Sequence, residues 1–338
     1  MLDINYVRSQ FPGLNTDWVL FDNAGGSQIL KPVVDRVNEY FYSSNVQLGA
    51  SYPHSVLAEE RHLTAHKKLD DNFRRTLKEG DEIIVTNCDH EANIGAWRDL
   101  ANYGITVKEW RLNPDTFRLQ AEDLQELLSD KTKLVAFTAA SNVLGQINPI
   151  KEFTALAHRA GALVCVDAVA YAPHCLMDVQ ETDVDFFVFS FYKTYGPHYA
   201  MMYGKLADHH GYVGENEVRS KMKFSYALIE EHEEFLSKKV LDYLNARNDI
   251  RIIGPREYSK DIRVPTIAFV KENSDSQAIT QKTDEHKVAI RWGNFYARRL
   301  IDDHGFAGQN GVVRISMVHY NTLEETDSLL KALDYALI

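Results

Sequence analysis

Short apolar segments that end in polar residues recur along the chain as far as Gly204, with longer amphipathic stretches between them, and few folds accommodate that pattern. The clearest segments are Asp81–Asn87, Lys133–Ala139, Ala162–Ala168, Asp185–Ser190 and Met201–Gly204. Each is long enough for a buried strand and too short for a buried helix. The intervening stretches Ala121–Ser129 and Pro149–Ala160 have helical spacing. The second starts at a proline and stops before Gly161, the usual asymmetry of helix ends. Strands alternating with helices make βαβ units, so the expected fold class is α/β around a mostly parallel sheet.

Beyond Gly211 the texture changes. A long helical stretch, Glu215–Arg247, leads to strands Thr266–Val270, Val288–Arg291 and Val312–Met317 and a closing helix near Leu323–Leu337. This reads as a second, smaller α+β unit. The expected division is a large domain over residues 16–212 and a small domain made of 1–15 and 213–338. The N-terminal helical region would pack with the small domain, because chain ends often meet.

Composition then excludes several classes. A net charge of -11 argues against nucleic acid or an anionic membrane as the main partner, while leaving room for a small anion at a local positive site. Three scattered cysteines make no disulfide framework. The opening MLDINYVRSQF lacks the basic and apolar regions of a secretory signal, and no apolar run reaches the ~18 residues of a membrane span. A cytoplasmic, reduced enzyme without nucleic-acid or membrane partner is expected.

In open α/β sheets ligands bind beyond the carboxyl ends of the strands. Four such ends carry polar groups here: His90, Ser141-Asn142, Asp167, and Ser190 with Lys193. A lysine after a strand is ordinarily a solvated surface charge. Partly desolvated, Lys193 would have a lowered pKa and a neutral amine suited to Schiff-base chemistry. Asp167 ends the apolar run LVCVDA, where an unpaired carboxylate is costly. It either caps a loop or pairs with a cofactor cation. His90 lies in DHEAN, with Ile94 where a zinc-protease pattern needs its second histidine. It is a loop histidine or a ring to stack on a cofactor. Arg314, inside an apolar strand, needs a carboxylate partner, structural or substrate. Cys88 reads as a buried structural thiol. A Cys88 hydrolase would lack the nucleophile elbow such enzymes carry.

Together, DHEANIGAW (89–97), SNVLGQINPI (141–150), VDAVAYAPH (166–174) and SFYKTYGP (190–197) resemble the class V aminotransferase superfamily, in its cysteine-desulfurase-like branch. The resemblance runs from Phe21-Asp22-Asn23-Ala24 to Tyr320-Asn321-Thr322. It implies a PLP-transferase fold of type I, pyridoxal 5'-phosphate as cofactor, a small amino acid as substrate and a homodimer. By this resemblance Lys193 carries the cofactor and moves the substrate's α-proton. Asp167 meets the pyridine nitrogen, His90 stacks on the ring and is catalytic together with Lys193, and Ser190 and Tyr192 hold the phosphate. Asn142 lies near the cofactor oxygen and, with Arg314 and Asn23, contacts the substrate.

The pattern is broken in two ways. Where the branch has Arg-x-Gly-x-x-Cys-Ala with a sulfur-carrying cysteine, this chain reads Arg291-Trp-Gly-Asn-Phe-Tyr296-Ala297. A tyrosine cannot carry sulfur, which leaves transamination, epimerisation or elimination across a C–S bond. The joins between Asp70 and Leu77 and between Lys205 and His209 are also much shorter than the family's, so breaks in the chain are expected near Asn72 and near Lys205–Asp208. The rival expectation is a non-catalytic scaffold that keeps the fold.

Overall fold

The structure is a computed structural model that describes residues 2–43, 53, 56, 77–205 and 217–338. Asn72 and the segment 206–208 lie outside the described residues, and so do the breaks expected there. A short strand, β1 (Val19–Leu20), comes first. It is followed by β2 (Glu82–Thr86), β3 (Thr106–Trp110), β4 (Thr132–Thr138), β5 (Leu163–Asp167), β6 (Phe186–Ser190) and β7 (Ala200–Gly204). These last six form one sheet in the order β3-β2-β4-β5-β6-β7, parallel except for β7 at one edge.

Alternation along the central strands divides the core between the two faces of this sheet. Ile84, Val135, Phe137, Val164 and Val166 pack toward Phe153 of helix Ile150–Arg159. Ile83, Val85, Leu134, Ala136 and Cys165 pack toward Ile94 of helix Glu91–Asp99. Burial on both faces is why these strands read as unbroken apolar runs. Removing one such side chain, as in Ile84→Ala, costs about 2–5 kcal/mol. The edge strand β3 was not anticipated. Its TVKEW sequence buries only Trp110 fully, so it carries no apolar run.

A second sheet has the order β11-β12-β9-β8, made of β8 (Ile250–Ile253), β9 (Thr266–Lys271), β11 (Arg291–Gly293) and β12 (Val312–Ser316). Helices Glu217–Asn245 and Leu323–Ala336 supply Leu236, Val240, Leu241, Leu329 and Leu333 to its core. The expected single strand Val288–Arg291 is two. β10 (Val288–Ala289) pairs with β1, and after buried Ile290 the chain moves to β11 against β12. Helix Ile4–Ser9 sits against residues 318–325, where Arg8 donates to the Tyr320 carbonyl and pairs with Glu325. Among the described residues no helix is long and apolar enough to cross a membrane.

Candidate active site

Asp167 closes β5, and its Oδ1 accepts the Val169 N–H at 2.8 Å. The residue is only partly covered, but its carboxyl group is enclosed by protein, and burial pushes its pKa up against the opposing pull of Val169 and Lys193. No salt bridge reaches it among the described residues. A carboxylate this enclosed calls for a cationic partner from the cleft.

β6 runs out at Ser190, and a 3-10 turn, Phe191–Lys193, carries the lysine. The turn is stitched by Thr194 N–H and Gly196 N–H, both donating to the Phe191 carbonyl at 2.8 Å. From the N-terminal side, Ser27 N–H donates to the Tyr192 carbonyl at 3.1 Å. Tyr195 is held at φ 66, with its hydroxyl donating to the Pro173 carbonyl and 3.0 Å from His319 Nδ1. Lys193 itself is 6% exposed. Burial lowers its pKa to about 8, helped by the Arg314 charge and opposed by Asp167 and Asp22. At neutral pH about a tenth of these amines are uncharged, against well under a hundredth for a solvated lysine.

His90 is the N-cap of helix Glu91–Asp99, its Nδ1 accepting the Ala92 N–H at 3.1 Å. That bond leaves the ring's proton on Nε2. Burial, together with the Lys193 charge, lowers its pKa to about 4, so the ring is neutral. It lies against Tyr296 at 5.1 Å between centroids. Tyr192 stacks on His198 at 4.8 Å, with its ring beside Gly26.

The opposite wall comes from the second sheet. Arg314, 2% exposed on β12, donates through Nη2 to Asp22 Oδ1 at 2.9 Å and through Nη1 to the Asn142 carbonyl at 3.2 Å. Asp22 also meets Arg291 at 3.3 Å. Gly25 packs so closely on this pair that a Cβ there would lie 2.8 Å from both Asp22 Oδ2 and Arg291 Nη1. Asn142 is buried, and its Nδ2 donates to the Phe295 carbonyl at 2.9 Å.

One expectation needs correction. Asn23 Nδ2 donates to the carbonyls of Leu20 and Ser316 and to Asn321 Oδ1, while its Oδ1 accepts from the Tyr320 hydroxyl. Its amide N–H groups are all used within the fold, so Asn23 ties the N-terminal segment to β12, while its neighbour Asp22 pairs with Arg314 and Arg291. Asp22 and Asp89 were missed. Asp89, fully enclosed, accepts from Thr86 at 2.7 Å and Asn93 at 2.6 Å, and burial raises its pKa to about 7. Its placement inside the DHEAN motif was the available signal.

A cleft at the carboxyl ends of parallel strands, with a buried lysine of low pKa beside an enclosed carboxylate, is the arrangement of an open-sheet α/β enzyme. The family model Aminotransferase class-V matches residues 64–199 and 211–329. The chain belongs to this family of pyridoxal-phosphate-dependent enzymes. It is 37% identical to the aminotransferase-like protein FGM3 of Gibberella zeae, over 99% of this chain and 98% of that protein. It is 28% identical to the cysteine desulfurase-like protein ustD of Aspergillus flavus, over 99% of this chain and 90% of that one. Its fold matches the apo structure of cysteine desulfurase from Thermococcus onnurineus with a TM-score of 0.82 at 23% identity, over 99% and 98% of the two chains. The alignment with FGM3 spans 395 positions, more than the 338 residues here, so FGM3 has segments without a counterpart in this chain.

The residues present fit pyridoxal phosphate. Among the described residues the enclosed Asp167 has no salt-bridge partner, a place a pyridinium would fill, while His90 offers a neutral flat ring and Lys193 an amine that loses its proton near pH 8.

Proposed function

We propose that the cleft processes a small α-amino acid with Lys193 as the group that carries the cofactor and then moves the proton at the substrate's Cα. The observation that carries this reading is the buried Lys193 amine, with its pKa near 8, in the same cleft as Asp167. Asp167 would hold the pyridine nitrogen, His90 would cover the ring, and Ser190 and Tyr192 would take the phosphate. Bound pyridoxal phosphate supplies a sink for the electrons released at Cα.

The rest is the work of the chain's own side chains. The Arg314 guanidinium and the Asn142 amide orient the substrate carboxylate, which fixes the bond at Cα that breaks. Lys193 Nζ, uncharged, takes the α-proton and later returns it. Burial holds the His90 pKa down near 4, so its ring meets the cofactor uncharged. Sulfur relay through the protein is not part of this function. Tyr296 stands at the position of the family's cysteine, and Cys88, Cys165 and Cys175 are all buried. Burial raises the pKa of each, that of Cys165 to about 12. A buried thiol held in its protonated form is a poor nucleophile.

Transamination is the leading reading, with a keto acid as the second substrate that accepts the amino group. Elimination across a C–S bond and epimerisation share its first proton transfer and differ in where the electrons then go. A panel of amino acids scored for keto acid, for pyruvate and sulfide from cysteine, and for the opposite enantiomer separates the three. Keto acid with stoichiometric capture of the amino group supports transamination, and sulfide or pyruvate from cysteine overturns it.

The chain would act as a homodimer. Helix Lys31–Ser43 leaves Val34, Val37, Tyr40 and Phe41 exposed along one side, a helical apolar stripe of the kind that association covers. Light scattering that returns the monomer mass at micromolar concentration overturns this part.

A further inference from the structure

The two groups assigned to the substrate carboxylate are already in use. Besides its bonds to Asp22 and Asn142, Arg314 has the Phe295 ring over its guanidinium at 3.8 Å, and its buried Nε has no partner among the described residues. The Asn142 amide donates to the carbonyl of the same Phe295 at 2.9 Å. One residue therefore covers the cation and takes the amide.

The loop that does this is strained. Phe295 and Tyr296 sit at φ 51 and 59, in the left-handed region that bulky L residues rarely adopt. Contacts with the site hold them there. Glu91 N–H donates to the Tyr296 carbonyl at 2.8 Å, and Tyr296 N–H donates to Asn294 Oδ1 at 3.0 Å. The Tyr296 ring leans on His90. A conformation held against its own backbone preference by a few contacts is released when those contacts find better partners.

We infer that Phe295 is a displaceable stopper in the carboxylate subsite, which an α-amino acid opens by taking Arg314 and Asn142 from it. The inference rests on the assignment of Arg314 and Asn142 to the substrate carboxylate. A carboxylate makes charge-assisted, bidentate bonds to a guanidinium, stronger than the face of a benzene ring offers. A neutral amide or a simple amine has no such advantage and leaves the ring in place. Phe295 thereby selects for free α-amino acids over their amides and decarboxylated counterparts. That selection is made by competition for Arg314 rather than by pocket shape.

Trp292, 37% exposed and three residues before Phe295 on the same segment, is the fluorophore chosen to follow the movement. The test titrates the cofactor-loaded full chain with L-alanine and with L-alaninamide, following tryptophan emission, with Trp292→Phe to identify the signal from that residue. L-alanine is expected to change the emission and L-alaninamide to leave it unchanged. In Phe295→Leu, which keeps an apolar side chain but removes the π face, half-saturation by L-alanine is expected at about tenfold lower concentration. Phe295→Tyr restores the wild-type value, and thermal melting confirms that both variants are folded. If Phe295→Leu titrates like the wild type, or weakens both probes alike, Phe295 is packing and not a stopper. Arg314→Lys separates the two levels of the argument. If it weakens L-alanine binding while Phe295→Leu changes nothing, the assignment of Arg314 stands and the stopper falls. If Arg314→Lys leaves L-alanine binding unchanged, both fall, and if L-alanine never alters the emission, the stopper falls.

Discussion

The wall of the cleft built from the six-stranded sheet and the wall built around β12 hold their charges in different ways. On the first, Asp167 and Lys193 are enclosed without a salt bridge to each other, and burial shifts both toward their neutral forms. On the second, Arg314 cannot shed its charge and is surrounded by partners: Asp22, the Asn142 carbonyl and the Phe295 ring. One wall keeps groups short of partners, ready for a cofactor and a proton. The other keeps a permanent charge occupied until a carboxylate competes for it. On the proposed function, chemistry and recognition are separated by how each wall treats a buried charge.

The comparison can be broken by substitution. Lys193→Ala removes the proposed proton carrier, and turnover should fall by about 10⁴-fold, measured by initial rates on the best substrate of the amino-acid panel. Asp167→Asn should weaken cofactor retention by about 100-fold, read by equilibrium dialysis, because a buried cationic ring loses its counter-charge. Arg314→Lys should raise KM by about tenfold or more while kcat changes less, because an ammonium cannot match the planar fork. If Arg314→Lys instead lowers kcat with KM unchanged, the division between the walls fails. Asn23→Ala should cost about 1–3 kcal/mol of stability in chemical denaturation and leave KM where it was, because its bonds lie within the fold.

Titration sharpens the same contrast. Between pH 8 and 10.5 the folded Lys193 has lost a proton that the unfolded chain still binds, so stability rises with pH across that window. For His90 the window lies between about 4 and 6.5. There the unfolded chain gains a proton that the folded ring refuses, so stability is lost as pH falls. Reaction of Lys193 with an aldehyde should climb with pH and level off near 8, where a solvated lysine would go on climbing.

The wall of strand ends was legible because burial on both faces forces apolar runs, and a polar residue at the end of such a run stands out. Asp167 and Lys193 could both be located in this way, and helix Ile150–Arg159 by its spacing, its leading proline and the glycine after it. The edge strand Thr106–Trp110 could not, because one exposed side admits Lys108 and Glu109 and breaks the run. Asn23 was misjudged for a different reason. It belongs to the same short motif as Asp22, and only the bonds made 293 and more residues away reveal that its amide is used within the fold. The cover of Phe295 on Arg314 is likewise a contact between segments, written in no local pattern.

The central claim is that Lys193 is the residue that holds the cofactor. The full chain loaded with pyridoxal phosphate should be yellow, lose its colour on borohydride reduction, and yield one peptide carrying the added mass on Lys193. Label on another lysine, or a Lys193→Ala protein that reduces to the same labelled peptide map, would contradict the account.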